Sequence, residues 1–350
     1  MSMISPLISV VVPCFNEYHY IAVCLDSILS NDFDHDQLEI LIIDGQSNDG
    51  TLDIIKEYQK KCPFIKLMDN PRRTPQFAFN LGIKSAAGKY IVRLDAHSAL
   101  SPSFFKEAIG YLETSNADCV GGALETRPQN KTVVGNSIAF VMEHLFGVGP
   151  GFRTFRNKHE QPFEIHTVAF GCYRRSVYER IGYYNERLSY SEDIEFHSRM
   201  EKAGMKTIFN PKLRTYYFSR STFYSFIKHS YRNGVWAILP ILYTNTIPVK
   251  IKHLVPLFFV STFFLLSALA FFMPIFYGIL LSSFLLYFGI GIMISLFYSI
   301  QERNIVYIVT IPVSFSILHF GYGIGSCVGV LKILISRLSV IGSSEASLAN

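Results

Sequence analysis

From Leu254 to Ile300 the chain carries no Asp, Glu, Lys, Arg or His, a stretch of 47 residues. A helix that crosses a bilayer needs about 20 apolar residues, so this stretch predicts two spans, broken near Pro274. Charge is correspondingly lopsided. Of the 32 Lys and Arg and the 27 Asp and Glu, only Glu302, Arg303, Lys332, Arg337 and Glu345 lie beyond His253. A polar domain is therefore followed by a membrane domain. A further run, Ile305 to Val330, has His319 as its one ionisable side chain besides tyrosine and cysteine, and it contains Gly321, Gly323 and Gly325. It predicts either one long tilted span or two half-helices hinged at the glycines. For His319 the expected role is a hydrogen bond between helices rather than a contact to a lipid diphosphate.

Ile4 to Val12 is too short, and too poor in basic residues before it, for a signal peptide. Lys228, Arg232, Lys250 and Lys252 precede the first span while the turn at Pro274 is uncharged, so the positive-inside bias places the polar domain in the cytoplasm. A net charge of +5 suits a domain resting on anionic lipid heads; it is not basic enough to argue for nucleic acid. The six cysteines show no CxxC pairing and several sit in apolar runs, which predicts reduced, buried thiols rather than a zinc site or disulfides.

Within the polar domain, Leu7–Val12 and Leu38–Ile43 are near-continuous apolar runs, as in a parallel sheet covered on both faces. The first run ends in Pro13, Cys14, Phe15, Asn16, Glu17 before a helix burying Ile21, Leu25 and Ile28. The second ends at Asp44 in DGQSNDGT. Asn48 or Asp49 can cap the helix that follows, and capping does not need Asp44, whose acceptor oxygens a ligand could use. Phe64–Met68 predicts a third strand, followed by Arg72 and Arg73, which could bind a diphosphate or be solvated. Thr74–Pro75 then starts a helix.

A fourth strand, entered from Gly88, stops at Asp95, Ala96, His97. Ligands of open α/β sheets sit beyond the carboxyl ends of such strands. Two residues apart on an extended segment, a carboxylate and an imidazole can meet one divalent ion. A helix from Ser101 to about Thr114 and a Cys119–Gly122 strand complete four βα units, which give a doubly wound, mostly parallel α/β sheet. Gly147, Gly149, Pro150 and Gly151 with Arg153, Arg156, Lys158 and His159 suggest a basic loop able to fold over a ligand. His166–Cys172 reads as a strand and Ser176–Gly182 as a helix. Glu192 and Asp193 open the next helix; acids there serve the helix dipole, and either could also be a general base. Aromatics from Phe218 to Trp236 alternate with Arg220, Lys228, His229 and Arg232, as in helices lying in a membrane interface.

Taken in order, PCFNE (13–17), DGQSNDGT (44–51), VRLDAH (92–97), FGCYRRSVYERIGYYNE (170–186) and SEDIEFHSRMEKAG (191–204) resemble the inverting family 2 glycosyltransferases of GT-A fold. The DAH form, YRNG at 231–234 and the trailing spans are similar to the membrane-bound enzymes of bacterial exopolysaccharide assembly, the succinoglycan type among them. The resemblance implies a catalytic domain over 1–215, interfacial helices over 216–253, about three spans over 254–336 and a tail from 337. It implies Pro13, Glu17 and Asp44 at the nucleoside of a nucleotide-sugar, and Arg72, Arg73 and Asp95 at its diphosphate. Asp95 and His97 occupy the DxD positions that hold Mg2+ or Mn2+. His97 replaces the second carboxylate, and imidazole suits Mn2+ better than Mg2+. Gly45 stands where the family often has a second aspartate.

Asp193 would be the catalytic base, with Glu192 beside it. The implied partners are a nucleotide-sugar donor, a polyprenyl-diphosphate-linked saccharide acceptor and membrane lipids. The implied location is the bacterial inner membrane, multi-pass, with the catalytic domain cytoplasmic. A processive polysaccharide synthase is disfavoured by three spans and the lack of QxxRW, and an inactive nucleotide-sugar-binding scaffold by the intact Asp44, Asp95 and Asp193.

Overall fold

A computed structural model of the chain describes residues 5–155, 160–244 and 250–348, with side chains to Arg337. In chain order the polar part runs β1 (Ile8–Cys14), α1 (Ile21–Leu29), β2 (Leu38–Asp44), α2 (Thr51–Lys61), β3 (Ile65–Asp69), α3 (Pro75–Ser85), β4 (Tyr90–Arg93), β5 (Ser98–Leu100), α4 (Phe104–Thr114) and β6 (Cys119–Pro128). Two helices follow, α5 (Val133–Glu143) and α6 (Leu145–Val148), then β7 (Phe163–Glu164), β8 (Cys172–Arg174), α7 (Arg175–Ile181), α8 (Glu192–Lys202) and β9 (Thr207–Ser219). The remainder is helical: α9 (Phe223–Ile238), α10 (Val255–Phe272), α11 (Pro274–Gln301) and α12 (Tyr307–Leu348).

Nine strands form one mixed sheet in the order β3-β2-β1-β4-β8-β6-β9-β5, with β7 on β9. β3, β2, β1 and β4 are parallel. β8 joins β4 antiparallel, as β5 and β7 join β9. The parallel half is legible in composition because both of its faces are covered. Val10, Val12, Ile40 and Ile42 point into one cluster with Ile21, Leu25 and Ile28 of α1, while Val11, Leu41 and Ile43 point into the other with Ala78 and Phe79 of α3. Each fully buried aliphatic or Phe side chain contributes roughly 1.5–3 kcal/mol. Gly82 is what lets α3 approach: a Cβ there would lie 2.4 Å from Val11 Cγ1 and 2.7 Å from Ile43 Cδ1.

Three local expectations change. The strand expected over His166–Cys172 begins only at Cys172, because Phe170 takes a left-handed φ of 48° that breaks the extended backbone. Asp95–His97 is not extended: β4 ends at Arg93 and Ala96–His97 turn into an additional strand, β5, so α4 starts at Phe104 rather than at Ser101. The alternation nonetheless survives the turn, with Ala96 buried and Asp95 and His97 half-buried. The 13-residue β9 was also missed.

The chain divides into two compact units, one of residues 1–127 and 150–218, the other of 128–149 and 219–350. In the second, α10, α11 and the Tyr307–Arg337 part of α12 are each long and apolar enough to cross a membrane. The expected break falls between Phe272 and Pro274. α12 is one continuous helix, so its glycines are not hinges. They are contact points instead: a Cβ on Gly325 would sit 2.1 Å from the Tyr231 carbonyl of α9, and one on Gly234 of α9 would sit 1.9 Å from the Tyr322 carbonyl. Small residues at i, i+4 spacing allow such close helix packing. His319 accepts or donates at 2.9 Å with the Tyr287 hydroxyl of α11 and lies 3.2 Å from the Gly147 carbonyl, a hydrogen bond between helices as expected.

Candidate active site

The carboxyl ends of the four parallel strands converge, and their loops are laced by side chains. Asp44 is buried at the end of β2, where it accepts from the Ser47 backbone N–H (2.8 Å) and hydroxyl (2.6 Å), closing its own loop. Across the gap to the β1 loop, Asn16 N–H donates to Ser47 Oγ (2.8 Å), Glu17 N–H to Thr51 Oγ1 (2.9 Å) and Tyr18 N–H to Asp49 Oδ2 (3.1 Å). Three residues other than glycine hold left-handed backbone here: Asn16 (φ 55°), Gln46 (65°) and Arg73 (54°), one in the loop after each of β1, β2 and β3. Such residues cluster where surrounding structure holds strain for function. Pro13, next to last in β1, is half-buried and paired with Ile43.

The structure brings Glu17 and His97 together: Glu17 Oε1 lies 2.7 Å from His97 Nδ1, and the His97 ring meets Tyr217 edge-on. Among the described residues the Asp95 carboxylate accepts no side-chain hydrogen bond. The two arginines part company. Arg73 donates to Gln46 Oε1 (2.7 Å) beside the half-exposed Phe15 ring, whereas Arg72 pairs with Glu186 (2.7 Å). Of the expected basic loop, Arg153 donates to Thr126 Oγ1 (2.6 Å) and lies over Tyr217; Arg156, Lys158 and His159 fall outside the described residues.

The two acids at the start of α8 are separated by environment. Glu192 is buried and accepts from Arg93 Nη2 at 2.6 Å, with both side chains about a tenth exposed. Burial pushes its carboxyl above the usual range, opposed by Arg93. Burial likewise works against the Arg93 charge, but Glu192 with Tyr184, Asp193 and Asp95 holds the guanidinium well above its ordinary value. Asp193 is half-buried, and its Oδ1 accepts the Ile194 N–H at 2.8 Å. One turn on, His197 is enclosed between the Tyr173 hydroxyl (3.0 Å) and Thr207 Oγ1 (3.1 Å), and burial lowers it to about 3. It stays neutral and structural. Burial raises the thiols of Cys14, Cys24 and Cys119, so none of them is a nucleophile.

Sequence comparison bears on this arrangement. The family described as Glycosyl transferase family 2 matches residues 9–182. A dolichyl N-acetyl-α-D-glucosaminyl phosphate 3-β-D-2,3-diacetamido-2,3-dideoxy-β-D-glucuronosyltransferase of Methanococcus voltae is 32% identical over 235 residues, which cover 65% of this chain and 71% of that protein. The chain belongs to glycosyl transferase family 2. The succinoglycan biosynthesis protein ExoA of Rhizobium meliloti is a more distant relative, 25% identical over 66% of this chain and 74% of its own length. The GT-A-like fold is matched by a mannosyltransferase of Pyrobaculum calidifontis solved with GDP-Man and Mn2+ (18% identity, TM-score 0.59, covering 89% of this chain and 87% of that one). As a glycosyltransferase, the protein acts on a nucleotide-sugar.

Among the described residues no three His, Cys, Asp or Glu side chains cluster as a ready metal cage. Asp95 and His97 carry the oxygen and nitrogen donor types that divalent ions take, with His97 Nδ1 engaged by Glu17. The residue that sequence reasoning passed over is Arg93. It stands between Val92 and Leu94 in a buried run, and an ionised side chain there signals a buried partner.

Proposed function

We propose that the protein is a membrane-anchored, inverting glycosyltransferase that moves a sugar from a nucleotide-sugar to a lipid-linked saccharide in surface or exopolysaccharide assembly. The observation that carries the mechanism is the division of labour at α8: Glu192 is committed to Arg93, while Asp193 keeps an oxygen free. In this reading Asp193 takes the proton of the acceptor hydroxyl as it attacks the anomeric carbon opposite the leaving group. One displacement then inverts the centre with no covalent sugar-enzyme intermediate.

Pro13, Glu17 and Asp44 shape the nucleoside side of the pocket, and Arg73, with Arg72 beside it, brings positive charge to the diphosphate. Asp95 and His97 would hold Mn2+ or Mg2+, which when bound supplies positive charge to the departing diphosphate. A lipid-linked acceptor is supported by the name of the Methanococcus voltae relative, a transferase to a dolichyl-borne sugar phosphate, together with the three apolar helices. Those helices anchor the chain in the cytoplasmic membrane, with Lys250 and Lys252 on the cytoplasmic side.

The test is calorimetric titration of detergent-purified protein with UDP-, GDP- and dTDP-sugars, each with Mn2+, Mg2+ or EDTA, alongside Asp95→Ala. Metal-dependent binding of one nucleotide-sugar, lost in the variant, supports the reading. Folded protein that binds none of them rejects it in favour of an inactive scaffold.

A further inference from the structure

We propose that Arg93 is the positioning residue of the transfer step: its guanidinium, seated against the Phe79–Tyr184 ring pair, draws Glu192 against the end of β4 and so orients Asp193 in the next position. The inference rests on the reading of Asp193 as base. Arg93 closes β4, two residues before Asp95. Its guanidinium carbon is 4.2 Å from the Phe79 ring centroid and 5.1 Å from that of Tyr184, two rings that themselves lie 5.7 Å apart, so it rests by cation–π contact against an aromatic pair. From there Nη2 reaches Glu192 Oε1.

Two features say that this pair does more than stabilise. Buried ion pairs can be replaced by well-packed apolar residues without loss of stability, so stability alone does not call for one. Arg–carboxylate pairs frequently engage both arms of the fork. Arg93 uses one; its Nη1 is buried without an acceptor among the described residues.

The first residues of α8 have no side-chain cap, and the nearest other tie lies at Glu195, which Arg199 links to the Ile181 and Tyr183 carbonyls. Ser191, the residue before α8, is left-handed (φ 61°) and makes no side-chain cap, and the Asp193 carboxylate caps only its own neighbour Ile194. A turn entered through a strained joint and lacking a cap frays readily. The tether joins the last residue of β4, two before Asp95, to the first residue of α8, one before Asp193.

The experiment compares the full-length protein with Arg93→Met/Glu192→Leu, which removes both charges and keeps apolar volume, and with Arg93→Lys and Asp193→Asn. Amide exchange over residues 192–196 is measured at matched melting temperature. Donor KM and kcat are then read as nucleoside diphosphate release from UDP-GlcNAc and GDP-mannose. The expected result is that the double variant melts like the parent, yet exchanges at least tenfold faster in that turn. Its kcat should fall at least tenfold with donor KM within about twofold, and Arg93→Lys should recover part of the loss. Unchanged exchange in the double variant, or parental kcat wherever turnover is measured, overturns the proposal. Parental turnover in Asp193→Asn would instead reject the base, while the exchange result would still decide whether Arg93 holds the turn.

Discussion

A general base must keep a proton-accepting oxygen out of other bonds, and the two adjacent acids of α8 differ in that respect: Glu192 is held by Arg93 and Asp193 is not. Asp193→Asn is therefore expected to cut transfer by roughly 10²–10⁴ while leaving nucleotide-sugar binding by calorimetry intact. At the opposite end of the strands, Glu39 is buried in β2. It accepts from Ser9 Oγ (2.6 Å), Lys66 Nζ (2.7 Å) and Ala87 N–H (2.9 Å). Burial alone would raise its carboxyl, but these donors outweigh burial and hold it below the ordinary value. A depressed carboxyl stabilises the fold above its unfolded pKa of about 4.3, and that contribution disappears as pH falls through the lower folded value. Acid unfolding of the parent should thus be steeper below pH 5 than that of Glu39→Gln, followed by circular dichroism. Asp95 and His97 stand out in the sequence because their motif follows a strand end, and Asp193 because its motif opens a helix. The pairing of His97 with Glu17 was not, since it joins loops 80 residues apart and leaves no local pattern.

At the scale of elements, β1, β2 and β4 were legible because strands buried on both faces read as mostly apolar runs, while β3, with exposed Lys66, is covered less fully. The antiparallel ones were not. β9 mixes buried Phe209 and Leu213 with exposed Lys212 and Arg214, which gives neither an unbroken run nor the period of a helix. The glycines of α12 were legible as special, but composition cannot tell a hinge from a close contact; their i, i+4 register against α9 decides it. Gly325→Ala or Gly234→Ala must push two backbones apart, and each should lower the melting temperature in detergent by several degrees. Gly289→Ala in α11 meets no atom within 4 Å and should leave it unchanged. Equal effects at all three positions would mean that the α9–α12 contact does not contribute to stability.

At the scale of the whole molecule, the apolar stretch read from charge alone is matched by helices whose surfaces stay apolar: Phe271, Phe297 and Ile300 are each at least 70% exposed. The protein should remain in the membrane pellet after alkaline carbonate and be released by detergent; release by carbonate would count against anchoring. The boundary between the units was not legible, because the second unit takes its helices α5 and α6 from the middle of the sequence. Asn136 of α5 donates to the Tyr307 hydroxyl (2.9 Å), and Ser137 meets Thr310 (2.7 Å), partners 171 and 173 residues further along. At a synthesis rate of about 5–20 residues per second, α5 leaves the ribosome roughly 10–30 s before α12 exists to receive it. For that interval the nascent chain displays an apolar helix whose hydrogen-bond partners have not yet been made.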